Sequence, residues 1–453
     1  MVADRVRAEI GGFTDLIAEH FVRVEPRLQA TKYIAACASD LDKINGWTVG
    51  EFAGDATPDK TQRLLSRAVW DEDAVMAGVR SYLIAGLEEV RARAGLRIVA
   101  VDESGQEKSG NNTAGVKRQY MGCVGKVANG INNVFVAYVR EGVGHAIAGV
   151  RQWIPAGQIA DRARAEELGI GEDVVFKTKG ALAAEMVAEL HAAGVRPDFV
   201  AGDEVYGASP DLREYCEGSG QGYILRVRKN ILITLGAGAV MAGAKIVRKL
   251  LKAKRCWQLY SAGKGTKGQR NYRWAWIGTE SPRHWLLIRR NIKTGECAYH
   301  LCFVPEGRHA SLAVLARAAG LRWPIEETFE FGKDYFGLDR SQVRRYRSIK
   351  RHLVLVAAAL AVFAVVAARL RRKTDSRVPR PVNPDDGPPV NPGLISLTIN
   401  EIKRLYNRTV SRKAPTWFSD RWSVWRRRHQ ARAEWFHCRA QLREDVTLAQ
   451  VRP

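Results

Sequence analysis

Cysteine and acid are both scarce in this sequence. Seven cysteines (Cys37, Cys123, Cys216, Cys256, Cys297, Cys302 and Cys438) are scattered over 453 residues. None forms a C-x-x-C pair and no His–Cys spacing suits a structural zinc, which excludes a disulfide scaffold and a zinc-ribbon design. Reduced thiols in a cytoplasmic protein are the reading that remains. The 48 Asp and Glu fall short of the 71 Lys and Arg, leaving a net charge of +23. Such an excess points to a polyanionic partner, most often nucleic acid, with an anionic membrane surface as the alternative. Long apolar runs are missing as well. The N-terminal stretch MVADRVRAEIGGF lacks the continuous apolar core of a secretion signal. The apolar run LVLVAAALAVFAVVAA covers sixteen residues, 353–368. That is short of the roughly 18 to 20 that cross a bilayer, so it predicts a buried core helix and no membrane partner. The segment GKGTKG at 263–268 lacks G-x4-G-K-[ST] and the flanking strand and helix of a phosphate loop. No internal repeat of fixed period is present.

What is there is enough for a folded core of two to four structural units, with 46% of residues hydrophobic. Residues 1–95 carry apolar positions at helical spacing, as in FTDLIAEHFV and AVMAGVRSYLIAGL, and predict a helical N-terminal domain. At residue 97 the period changes. LRIVAVDES reads as a buried strand, and QYMGCVGKV and NVFVAYVR as a hairpin about the turn ANGIN. The helix KTKGALAAEMVAELHAAGV, the strand DFVAGDEVYGA and the strand GYILRVR follow. Strands alternating with helices predict an α/β sheet over 96–230. Residues 231–303 hold aromatic and β-branched runs broken by glycine and predict a mostly β insertion. Helical pattern resumes at 304–373. The stretch 374–393, with six prolines, reads as a linker. Residues 394–453 carry 13 Lys and Arg against 5 acids and predict a basic helical C-terminal region.

Two strands carry acids where their apolar runs stop: Asp102 after RIVAV, and Asp203 after FVAG. Taken alone, a strand-end acid is a turn former. Two on neighbouring strands would converge at the carboxyl edge of an α/β sheet, where hard cations such as magnesium take oxygen ligands. A third carboxylate is needed to hold two ions for in-line phosphoryl transfer, and RWPIEETFEFGK at 322–333 can supply it. Pro324 suits a first helical turn, so Glu326 lies near the helix start. At about 100° per residue, Lys333 falls roughly 20° from the Glu326 face, Glu330 about 40° and Glu327 about 100°. Arg322, Glu326 and Lys333 then share a face, a carboxylate for metal flanked by cations for phosphate.

The spacing R-x3-E-x6-K resembles the YREK signature of bacterial insertion-sequence transposases of the DDE class. VDESGQEKSGNNTAGVKRQYMGCVGK and GDEVYG are similar to the blocks around that family's two catalytic aspartates. The order, with a β-rich insertion before the glutamate, is also the family's. The resemblance covers roughly residues 15–370. One departure is Ala319, which stands where the signature has tyrosine.

The resemblance implies an RNase H-like core and the triad Asp102, Asp203 and Glu326. It further implies two Mg2+ (or Mn2+) ions, cleavage at element ends and transfer of the 3′-OH to target DNA, by a homodimer on DNA in the cytoplasm, at the nucleoid. Arg322 and Lys333 would hold the DNA backbone. The rival class is an end-binding regulator that does not cut.

Further DNA-binding candidates follow from charge and aromatics. Lys108, Lys117 and Arg118 lie in or near the loop after the first strand. Arg226, Arg228 and Lys229 begin a stretch, 226–255, with nine Lys or Arg and no acid. The insertion tryptophans Trp257, Trp274, Trp276 and Trp285 are more often core residues at β spacing, but related transposases can stack an aromatic from this insertion on a flipped base, with Trp274 and Trp276 as the candidates here. Arg428 and Arg432 sit in WSVWRRRHQARAEWFHCR, where a basic face meets an aromatic stripe. Glu103, Glu204, Glu327 and Glu330 are the neighbouring acids least suited to metal.

Overall fold

A computed structural model describes residues 2–91, 95–236, 238–265, 268–374, 394–410 and 417–428. The helical expectation for the N-terminal region takes the form of five helices: α1 (Val2–Leu16), α2 (Val24–Cys37), α3 (Gly46–Phe52), α4 (Asp59–Ser66) and α5 (Glu72–Glu88). Side-chain caps set their starts. The Asn45 carboxamide accepts from Trp47 and Thr48 while Thr48 reaches back to the Asn45 N–H, closing a capping box on α3. Asp71 accepts from the N–H groups of Asp73 and Ala74 and opens α5.

The chain then builds a sheet. Its first half contains β1 (Arg97–Glu107), β2 (Lys117–Met121), β3 (Lys126–Arg140) and β4 (Gly144–Trp153). Helices α6 (Ala156–Ala160), α7 (Arg162–Leu168) and α8 (Lys179–Ala192) lead to β5 (Phe199–Gly202), followed by α9 (Glu204–Gly207), α10 (Pro210–Gly218) and β6 (Tyr223–Val227). The small pair β7 (Leu232–Thr234) and β8 (Val240–Ala242), helix α11 (Gly243–Leu250), and strands β9 (Gln258–Gly265), β10 (Gly268–Gly278), β11 (His284–Arg290) and β12 (Cys297–Phe303) fill the next segment. Helices α12 (Leu312–Gly320), α13 (Pro324–Phe336), α14 (Tyr346–Thr374) and α15 (Ile399–Val410) complete the series, with a further helix over 417–428.

The large sheet has ten strands in the order β2-β3-β1-β5-β6-β12-β11-β10-β9, with β4 also on β3. β5 runs parallel to β1 and β6, whereas β3 and β12 pair antiparallel to β1 and β6. Strands β9–β12 of the 231–303 segment therefore continue the same sheet through β12 on β6.

Three local readings are corrected. The hairpin turn lies at 122–125, where Val124 and Gly125 donate back to the Met121 carbonyl and Gly125 takes φ 66°. ANGIN lies inside β3, and Gly130 is needed there because a Cβ would fall 2.8 Å from the Gln106 carbonyl oxygen on β1. The strand β4, GHAIAGVRQW, was not expected; its small residues blur the alternation that marks a strand. The first strand does not stop at Asp102. Parallel pairing with β5 ends at Val101↔Gly202, but β3 continues opposite β1 to Glu107↔Gly130.

The alanine-rich run is the middle of α14, buried along its length against α5, β4, α2 and α1. The helix as a whole, over Tyr346–Arg371, has the length and hydropathy to cross a membrane, yet 94% of its apolar window lies inside the protein. Its first turns carry the cost of burial by pairing: Arg351, fully buried, meets Glu72 at 3.2 Å and donates to the carbonyls of Leu64 and Trp70. The basic C-terminal segment packs back on the N-terminal helices. Trp422 is fully buried with its indole N–H on the Asp55 carbonyl, Trp425 stands edge-on to Trp47, and Lys403 reaches Asp40. Trp422 and Trp425 thus serve packing, whereas Trp417 is exposed. The proline-rich linker and Arg432 lie outside the described residues.

Candidate active site

Two carboxylates meet where the parallel part of the sheet ends. Asp102 follows the last β1 residue paired to β5, and Asp203 follows β5 itself. Asp203 caps the short helix α9, its Oδ1 accepting from Val205 N–H at 2.9 Å. Two residues beyond the next pair of α9 positions, Gly207 packs so tightly on β6 that a Cβ would sit 1.8 Å from the Arg226 carbonyl oxygen. Only glycine lets α9 turn there and keep Asp203 at the sheet edge.

The third acid comes from α13. Pro324 opens that helix and Glu326 stands in its first turn. Arg322, just before the helix, joins the parts: its guanidinium donates to Asp102 Oδ2 at 2.6 Å and to Glu326 Oε1. Burial pushes the Asp102 carboxyl up to about 6, against the opposing pull of Arg322 and helped by the charge of Asp203. Arg322 is raised, since burial is outweighed by Asp102, Glu326 and Asp203. One cation and three acids therefore form a single electrostatic unit.

The donor set is all oxygen and suits a hard divalent cation. Among the described residues, no three acids, histidines or cysteines stand close enough to share one ion. The positive charge between Asp102 and Glu326 is the guanidinium of Arg322, occupying the position that such a cation would neutralise.

The neighbouring acids are engaged elsewhere. Glu103 accepts from Lys179 Nζ at 2.6 Å and from Tyr206 Oη at 3.2 Å. Glu204 faces Arg226 at 3.1 Å. Glu327 lies 3.4 Å from His145, whose hydrogen bond holds it below the usual carboxylate range. Glu330 is exposed.

The cationic candidates are dispersed. Lys333 is half-buried on α13 and makes no ion pair among the described residues. Lys108 donates to the Ser341 carbonyl at 2.6 Å, and burial pulls it down to about 8. Lys117 lies 5.7 Å over the Trp153 ring, and Arg118 is exposed beside it on β2. Arg226 is half-exposed on β6, while Arg228, Lys229 and Arg428 are exposed. Trp274 corrects its expectation. It is fully buried with its indole on the Tyr260 carbonyl, because α12 covers that part of the sheet, so no base can reach it. Trp276 stacks on Trp285 with ring centres 4.4 Å apart. Ala319 lies in α12, two residues before Leu321.

Comparison with known proteins bears on this geometry. Residues 23–239 match the DDE superfamily endonuclease family, and residues 177–362 match the transposase DDE domain. The matches support a DDE transposase. A probable transposase for insertion sequence element IS701 from Microchaete diplosiphon is 27% identical over 235 residues. That alignment covers 51% of this chain and 57% of the relative, so the chain spans little more than half the relative's length. A cryo-EM structure of the piggyBac transposase synaptic complex with hairpin DNA overlaps 92% of this chain and 82% of its own, with a TM-score of 0.44 and 11% identity. The transposase DDE match contains Asp203, Arg322 and Glu326, and the endonuclease match contains Asp102 and Asp203.

Proposed function

We infer that the chain is a transposase that cuts the ends of its own insertion sequence and joins them to target DNA. The observation that carries this reading is the bridging of Asp102 and Glu326 by Arg322, with Asp203 following the adjoining strand β5, within sequence that matches DDE endonucleases. The order β4-β3-β1-β5-β6, with β1, β5 and β6 parallel and β3 and β4 antiparallel to their neighbours, supports an RNase H-like core in two parts, 96–230 and 304–373. On this reading residues 231–303 form the insertion, 1–95 bind DNA and 394–453 form a basic C-terminal region.

Asp102, Asp203 and Glu326 would hold one or two divalent ions, Mg2+ or Mn2+. When bound, such ions polarise a phosphodiester and favour attack by water. A P–O bond then forms to water while the bond to the 3′ oxygen breaks, and that oxygen leaves as a 3′-OH. The same 3′-OH displaces a 3′ oxygen in target DNA in the second step. Arg322 would release the carboxylates and turn to a backbone phosphate, with Lys333 about two turns beyond Glu326 on the same helical face. Two ends are joined in one reaction, which favours a homodimer on DNA.

The rival regulator is not favoured, because no member of the acid set is missing. The test is direct: purified chain, Mg2+, and a plasmid carrying the DNA that flanks this reading frame. Cleavage at the flanks with joining to a second plasmid is the expected result; bound but uncut DNA would select the regulator.

A further inference from the structure

Beside the acid set, the sheet carries a second group of charges that the chemistry above leaves unused. Strand register places them on one face. His300 of β12 lies opposite Arg226 of β6, and Arg289 of β11 lies opposite both Ala298 and Trp274. The Arg289 guanidinium sits 4.6 Å over the Tyr272 ring, on the same face of β10. Arg270 completes the group: it packs 5.4 Å from the Trp323 ring and donates to the carbonyls of Ala262 and Gly320. A Cβ on Gly320 would fall 2.1 Å from the Ala262 oxygen, so this close seam holds Arg270 in place.

The group is short of counter-charge. Arg289 has no acidic partner among the described residues, and burial together with Arg226, Arg270 and Arg322 pulls it below the usual guanidinium range. Its polar atoms are also short of partners. The Nε atoms of Arg226 and Arg270 and the Nδ1 of His300 are buried without a hydrogen bond. His300 itself is 7% exposed, and among the described residues Arg226 forms an ion pair with Glu204, 3.1 Å from its Nε but off the line a hydrogen bond needs. Buried guanidinium N–H donors left unmade are costly, and clustered guanidinium groups repel. Both costs vanish if an anion with several acceptor oxygens enters.

We propose that Arg226, Arg270 and Arg289 form a phosphate site for the DNA strand that passes the candidate active site. The site rests on the transposase reading, and it adds a named contact for the substrate backbone outside the acid set. Phosphate is the anion of choice because its oxygens match more than one guanidinium fork at once. The aromatic platforms Tyr272 and Trp323 hold two of those forks in fixed planes, which lowers the entropy lost on binding.

The test measures DNA affinity against KCl concentration in EDTA, with full-length protein and a labelled duplex copied from the flanking DNA. Arg289→Gln should lower the slope of log K against log [KCl] by about 1 and weaken binding roughly tenfold at low salt. Arg226→Gln, on the half-exposed strand, should do the same and carries the test if Arg289→Gln fails to fold, as its thermal midpoint will show. Slopes equal to wild type in folded variants, with wild type binding DNA, would overturn the site. Wild type that binds no duplex at any salt would overturn the transposase reading itself.

Discussion

Arg322 Nη1 lies 2.6 Å from Asp102 Oδ2, joining the start of α13 to the middle of β1 across 220 positions of sequence. Its other amino group holds Glu326. The arrangement lets Asp102 and Glu326 approach one another without a metal, because one delocalised cation answers both. It also means that a divalent ion must displace both this guanidinium and the proton that burial favours on Asp102.

Metal affinity should therefore rise with pH. Asp102 is pushed up to about 6, so below that value a proton competes with the ion. Mn2+ binding to DNA-free protein, followed by electron paramagnetic resonance, should weaken roughly tenfold per unit as pH falls below about 6, and level off above it. Affinity that does not change between about pH 5 and pH 7.5 would contradict the role given to Asp102.

The core should be acid-labile through His352. Its ring is fully buried, with Nε2 donating to the Gly337 carbonyl and Nδ1 accepting from Tyr33 Oη at 2.8 Å. Burial pulls it down to about 4 from an ordinary value of 6.5. The unfolded chain thus takes up the proton first. The stability tied to the neutral ring is present above about pH 6.5 and is lost as pH falls toward 4, by up to about 3 kcal/mol. Urea midpoints at pH 7 and about pH 4.5 should diverge less in His352→Gln than in wild type.

The buried pair Arg351–Glu72 should be costly to break from one side. Arg351→Ala leaves Glu72 with Arg347 alone, at 2.9 Å, and strips the Leu64 and Trp70 carbonyls of their donor, and should cost about 2 to 3 kcal/mol in denaturant unfolding. Replacing both by apolar residues of similar size, Arg351→Met with Glu72→Leu, should recover much of that loss. A single variant within about 0.5 kcal/mol of wild type would show that the pair is not buried as described.

The sequence makes the carboxylates legible because each sits next to a strong local signal: an apolar strand for Asp102 and Asp203, a proline-opened helix for Glu326. Helical phase likewise separates Glu327, which turns to His145, from Glu326. Relationships that depend on register are not legible. Nothing local says that β12 pairs with β6, so neither the continuity of the sheet nor the facing of His300 with Arg226 can be read from the chain. Trp274 is misread for the same reason: alternation puts it on a face, and only the tertiary fold decides that α12 covers that face. The tryptophans near 422–425 look like a nucleic-acid stripe until Trp47 and the Asp55 carbonyl are seen against them. Small-residue strands such as β4 carry too little hydrophobic contrast to announce themselves.

The most direct measurement is Mg2+-dependent cleavage of flank-containing DNA by Asp102→Asn, Asp203→Asn and Glu326→Gln, each checked for a wild-type-like fold. The account predicts that every one of the three loses at least about 10²- to 10³-fold in rate while still binding DNA. A folded variant of any of the three that cuts as fast as wild type would contradict the assignment of the site.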